Sequence, residues 1–184
     1  MRQILDGAVQ VVGNGGLGAL THRAVADIAG VPLGSTTYYF KDRDDLMRRT
    51  MEHAVEIEAE RLAAIVEDFD GDLTIDTSVD VLTEMFFDKT VADPLYDLAL
   101  FEMFLEATRN PAFRGLTQSW SRMIAVLTDR VLPPTDPAIP RETAVQIVAT
   151  LIDGLMLEEA SNQTLGLEKL SDRLRIVITR LSAS

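Results

Sequence analysis

Residues 21–47 read THRAVADIAGVPLGSTTYYFKDRDDLM, and this stretch decides the fold. Thr21 can cap a short helix whose inward residues are Val25, Ala26, Ile28 and Ala29, and Gly30 ends it. A small residue, Ala26, then a glycine at a tight turn with Val31 plugging the corner, joins two helices at roughly 90–120°. Pro32 suits the start of the second helix because it lacks the amide hydrogen that a first turn cannot use, and residues 33–39 supply the turns. Its exposed side chains are expected to be mostly hydroxyls. Ser35, Thr36, Thr37, Tyr38 and Tyr39 offer donors and acceptors to phosphates and base edges, and Gly34 lets the backbone approach a partner. Asp42 can cap the next helix, with Asp44 and Asp45 in its first turn and Arg48 and Arg49 behind.

The motifs IAGV (28–31), GSTTYYF (34–40) and KDRDDL (41–46) stand here in a fixed spacing. At these residues the chain resembles the TetR family of bacterial transcriptional regulators. The resemblance implies an all-α fold, with a three-helix helix-turn-helix head over residues 1–46 and a larger helical effector-binding and dimerisation body over 47–184. It also implies a homodimer that binds double-stranded operator DNA and is released by a small-molecule effector. The chain departs from the commonest family pattern at Pro32, where a serine is usual, at Leu33, where a lysine is usual, and at Thr37, where a tyrosine often touches phosphate. A basic arm often precedes the first helix in the family, but only Met1 and Arg2 stand there, so no arm contacts are expected.

Charge bears on the DNA reading. The net charge is −12, whereas affinity for DNA rests largely on neutralising phosphates. The head, however, carries Arg2, Arg23, Lys41, Arg43, Arg48 and Arg49 against Asp6, Asp27, Asp42, Asp44 and Asp45, a net of +1, which leaves −13 on the rest. Such a head can dock on DNA if its cations share one face and the acidic body points away; a solvated acidic surface for solubility is the plain alternative. His22, Arg23, Lys41 and Arg43 are expected to position the head on phosphates, helped by Thr37 and Tyr38. Leu33, Gly34, Ser35 and Thr36 are expected to face base edges, and Tyr39 either. Serine and threonine read several bases, so the operator sequence does not follow.

The remaining chain reads as helices. The first is expected over 3–13, stopped by Asn14, Gly15 and Gly16. A long helix follows Asp42, with Met47, Met51, Val55, Leu62, Ile65 or Val66, and Phe69 in a stripe broken by Glu58, and Asp70 and Gly71 close it. The next runs over 75–91. Residues 96–107 are mostly apolar, which predicts a helix enclosed by protein on nearly all sides. There, Glu102 and Glu106 either face a cavity, or Glu106 pairs with Arg109 at the helix end and Glu102 is hydrogen-bonded or exposed at the rim. Helices follow over 111–132 and 141–161, separated by the stiff loop PPTDPAIP; Gly154 in the second suggests close approach of a helix or a ligand. The last helix shows Leu167, Leu170, Leu174, Val177 and Leu181 as a short heptad seam, which wants an internal partner or a second copy. With Val148, Ile152 and Leu155 of the helix before it, the seam residues from Leu170 onward are the expected dimer interface, an intersubunit four-helix bundle.

Other functional classes fare worse. The chain has no cysteine, its two histidines lack metal-ligand spacing, and there is no Gly-rich phosphate loop or Ser-His-Asp arrangement. No enzyme activity, metal or cofactor is expected. No apolar run spans a bilayer, so no membrane partner and a cytoplasmic location are expected. A helical adaptor whose head binds another protein remains the alternative, favoured if the head has no DNA affinity at low salt. Effector-pocket candidates are Met85, Phe86, Tyr96, Glu102, Met103, Glu106, Trp120, Met123 and Asp153, with plain core as the competing account of the Met and aromatic residues. Carboxylates inside such a pocket would favour a neutral or cationic amphipathic molecule over an anion.

Overall fold

The computed structural model describes residues 1–69, 71–87, 93–163 and 165–183. Among them the chain forms nine α-helices: α1 (Arg2–Ala19), α2 (His22–Ala29), α3 (Leu33–Tyr39), α4 (Arg43–Asp68), α5 (Ile75–Phe87), α6 (Pro94–Arg109), α7 (Arg114–Val131), α8 (Arg141–Asn162) and α9 (Gly166–Leu181). A 3-10 turn at Pro111–Phe113 precedes α7, and no strand occurs among the described residues. The all-α class expected from the sequence holds. Asp70, expected to help close α4, and residues 88–91, expected to continue α5, lie outside the described residues. Helices pack into two compact units: Met1–Glu60 with Asp93–Trp120, and Arg61–Ala92 with Ser121–Ser184.

In the first unit α1 runs beyond the expected stop. It kinks at Gly16, whose φ of 71° only glycine adopts readily, and resumes to Ala19. The extension places Leu17 and Leu20 in the core. α1 packs on both α2 and α6. Gly13 permits the second contact, since a Cβ there would sit 2.7 Å from the Leu95 carbonyl oxygen. Thr21 caps α2, its hydroxyl accepting the Ala24 N–H at 3.1 Å. Gly30, at φ 64°, ends it while the Val31 N–H returns to the Ala26 carbonyl at 3.0 Å.

Two expectations fail in this unit. Ile28 is exposed rather than inward: Val25, Ala26 and Ala29 occupy the inner face of an eight-residue helix, and Ile28 borders a shallow surface groove with Gln3 and Gly7. Nor is α6 enclosed on all sides. Its buried line is Ala99, Leu100, Met103 and Ala107, while Leu98 and Leu105, two turns apart, are exposed. One apolar stripe suffices to pack it, and the remaining apolar residues lie off that stripe.

The second unit is built on α5, α8 and α9, with α9 packed against both of the others. Leu82, Met85, Ile152, Leu170, Leu174 and Ile178 are fully buried in it. The Thr83 and Ser171 hydroxyls meet at 3.1 Å, and Arg175 pairs with Asp76. The proline loop is pinned at both ends. Arg141 donates to the Asp129 carboxylate at 2.6 Å and to the Leu132 carbonyl at 3.0 Å, while the Asp136 N–H reaches the Leu181 carbonyl at 2.9 Å.

Candidate functional site

α3 is short because Pro32 sets its start and Phe40, buried, leaves it in extended backbone. Its outer surface presents Leu33, Gly34, Thr37, Tyr38 and Tyr39, all exposed, with Ser35 half-buried beside them. Tyr38 is 83% exposed and meets the Tyr39 ring edge-on, centroids 5.1 Å apart. Thr36 is a correction. It is 0% exposed, and its hydroxyl donates to the Leu33 carbonyl at 2.8 Å and the His22 carbonyl at 3.3 Å, so it cannot face a base edge. With Pro32 as the start, Thr36 falls on the side of α3 turned toward α2, where its hydroxyl tethers the two helices. His22, half-buried in the first turn of α2, keeps its Nδ1 buried without a hydrogen-bond partner.

The head's cations divide into engaged and available groups. Arg49 Nε reaches Asp45 at 3.1 Å, and Arg48 bridges Asp45 at 2.8 Å and Glu52 at 2.6 Å. The Lys41 backbone N–H on Asp45, followed by these guanidiniums, holds the Asp45 carboxyl below its usual range despite partial desolvation. Arg43 departs from the expected phosphate role. Its Nε donates to the Leu20 carbonyl at 3.0 Å and its Nη2 to the Leu17 carbonyl at 2.6 Å, so the guanidinium braces the end of α1. Among the described residues of the head, Arg2, Arg23 and the Lys41 side chain are exposed cations without an ion pair.

The effector candidates distribute over both units. Tyr96, Glu102, Met103, Glu106 and Trp120 belong to the first, and Met85, Phe86, Met123 and Asp153 to the second. Met103, Trp120, Met85 and Phe86 are buried. The Tyr96 hydroxyl donates to Asp6 Oδ1 at 3.5 Å; burial first, and then the negative charge of Asp6, pushes the phenol up to about 12. The same Asp6 oxygen lies 2.6 Å from His53 Nε2, and His53 is buried. Glu102 accepts the Leu17 N–H at 3.2 Å, and Glu106 lies 3.9 Å from Arg109. Glu106 is thus beside Arg109 and Glu102 is hydrogen-bonded, as in the second of the two expected readings, although Glu102's partner lies far away in sequence. Asp153 lies on the exposed side of α8, and desolvation raises its carboxyl above the ordinary value.

Sequence reasoning missed the Asp6–His53 pair and the Leu17–Glu102 bond. The signal for the second was present in Gly15 and Gly16, which read as a helix stop rather than as a kink that hands an amide to a side chain.

The expected dimer residues also sit differently from expectation. Val148, Ile152, Leu155, Leu170 and Leu174 are buried inside the chain itself, and Val177 and Leu181 are half-buried, because the heptad seam finds its partner within its own unit. The open apolar residues of these helices are Leu167, at the start of the seam, and Ile147, Leu157 and Ile176 off it, the last 63% exposed. A groove of about 650 Å³ beside them is lined by Ile147, Thr150, Leu151, Gly154, Glu158 and Arg173. Among the described residues no atom comes within 4 Å of the place a Gly154 Cβ would occupy, so the close neighbour expected there is not one of them.

Comparison with known proteins places this geometry. Residues 4–50 match the family model of bacterial regulatory proteins of the tetR family, and residues 73–183 match that of the Tetracyclin repressor-like C-terminal domain. Among curated proteins, the nicotine-responsive transcriptional repressor HdnoR of Paenarthrobacter nicotinovorans is 23% identical, over 85% of this chain and 81% of that protein. Among solved structures, the multidrug binding protein EbrR in complex with ethidium is 31% identical over 100% of both chains, with a TM-score of 0.70. A TetR-family member from Streptomyces coelicolor A3 is also 31% identical, over 99% of this chain and 97% of its own, with a TM-score of 0.73. The chain belongs to the TetR family of bacterial regulatory proteins and is a transcriptional regulator rather than an enzyme.

Proposed function

We propose that the protein is a homodimeric repressor that binds operator DNA through α2 and α3 of two heads and is released by a small-molecule effector. The observation that carries the DNA step is the outer surface of α3: Leu33, Gly34, Thr37, Tyr38 and Tyr39 stand exposed, with Ser35 beside them and the unpaired Arg23 and Lys41 on the same head. Hydroxyls and a bare glycine are suited to phosphate oxygens and base edges, and free cations supply the sequence-independent attraction. His22 and the three free cations, Arg2, Arg23 and Lys41, position the head, whereas Arg43 and Thr36 build it. In this reading residues 1–46 form the DNA-binding part and residues 47–184 the effector-binding and dimerising part.

The subunit contact is assigned to the open face of α8 and α9, with Ile147, Gly154, Leu157 and Ile176, in place of the buried seam. An intersubunit four-helix bundle on this face would cover the exposed apolar side chains and fill the space left at Gly154. The effector is a neutral or cationic amphipathic molecule. Support for this class comes from EbrR, whose structures hold ethidium, proflavin and malachite green, and from the nicotine response of HdnoR; the net charge of −12 points the same way. Titrating ethidium and a size-matched anionic dye into the protein bound to a selected operator tests this. Release by ethidium alone is expected, and release by the anion alone would reverse the assignment.

A further inference from the structure

Leu17 is held at both ends of its own residue. Just past the kink at Gly16, its N–H donates to Glu102 Oε2 of α6 at 3.2 Å, while its C=O accepts Arg43 Nη2 of α4 at 2.6 Å. Arg43 Nε continues to the Leu20 carbonyl at 3.0 Å, the residue immediately before the α2 cap Thr21. The two side chains therefore grip the short segment that turns α1 into α2. Both bonds are charge-assisted, which makes them the stronger kind of hydrogen bond. Leu17 and Leu20 are buried, Glu102 is half-buried and Arg43 is exposed, so the three bonds are partly sheltered from competing water on their backbone side. Gly16 is required for it: its φ of 71° aims the next amide out of the helical path, and a Cβ there would come within 3.2 Å of Glu102 Oε1.

We propose that Glu102 and Arg43 clamp the Leu17 segment and thereby fix the corner on which the helix-turn-helix is built, so that the position of α6 sets the pose of α3. Glu102 is a positioning residue for DNA reading, and not a ligand-facing charge. A shift of α6 that withdraws the carboxylate frees the Leu17 amide, loosens the turn before Thr21, and relaxes α2 and the Thr36 tether to it. For its consequence on DNA this inference rests on the repressor reading above; for its consequence on the head it does not.

Amide hydrogen exchange on the full-length protein, with operator affinity measured alongside, tests the clamp in Glu102→Ala, Glu102→Gln and Arg43→Ala. In Glu102→Ala the Leu17 amide is expected to exchange about tenfold faster or more, the factor for one charge-assisted hydrogen bond. Amides of α2 and α3 should follow while those of α8 keep their protection. Glu102→Gln retains an acceptor oxygen and should show a smaller effect in both exchange and operator affinity. Unchanged Leu17 exchange in Glu102→Ala would overturn the clamp, as would faster Leu17 exchange with α2, α3 and operator affinity all unaffected. Should Glu102→Ala fail to fold, the glutamine and Arg43 variants are judged by the same amides. If the wild type selects no DNA, the repressor reading fails, and the clamp stands or falls on exchange in α2 and α3.

Discussion

Salt dependence gives the sharpest test of how the head meets DNA, because the structure sorts its cations. Of six basic side chains, Arg48 and Arg49 are paired with carboxylates and Arg43 is committed to backbone carbonyls. Arg2, Arg23 and Lys41 remain. Two heads then bring about six phosphate contacts, for a slope of about −5 in log affinity against log salt, where use of every cation would give about −11. Between 50 and 200 mM salt the wild type should lose about a thousandfold in affinity, and Lys41→Ala, lacking one contact per head, about a hundredfold. Arg48→Ala should leave the slope unchanged. Fluorescence anisotropy with a labelled operator over this salt range reads both variants. A Lys41→Ala slope equal to wild type, or an Arg48→Ala slope shallower than it, would refute the assignment of available and engaged cations.

The other predictions concern packing, assembly and acid stability. Thr36→Ala should cost stability by about 1–3 kcal/mol through loss of its buried hydrogen bonds, with operator preference unchanged, whereas Ser35→Ala should shift preference at little cost; thermal melts and binding to a panel of operators separate the two. Ile147→Glu and Ile176→Glu should give folded monomers by sedimentation, while Leu174→Ala should destabilise the chain by about 2–5 kcal/mol as a core truncation. Asp45 has a folded pKa below its unfolded value of about 3.9, so its contribution is present above that value and is lost as pH falls through the lowered one. Asp45→Asn should therefore flatten the acid side of melting temperature against pH and leave the alkaline side unaltered.

The helix-turn-helix was legible because its signals are local. Thr21, Gly30 and Pro32 each act within a turn of their own position, and all three behave as their chemistry dictates. Thr36 was misplaced because residue type indicates a hydroxyl but not which way a seven-residue helix is rotated; burial against His22 settled that. The seam on α9 was real as a pattern, but its Leu170 and Leu174 are buried inside their own chain, since a heptad records that a partner exists and not whose chain it belongs to. Glu102 shows a third limit. Its partner is a backbone amide offset by a kink 85 residues away, and no side-chain pattern announces a backbone donor.

The central claim is that this head reads operator DNA as part of a dimer. Selection of bound duplexes from a random-sequence pool at about 50 mM salt, where electrostatic attraction is strong, tests it most directly. An inverted repeat whose half-sites lie about one helical turn apart, or a multiple of it, should be enriched, with two protomers bound per site. A pool that emerges unenriched, with the protein folded and the salt low, would contradict it.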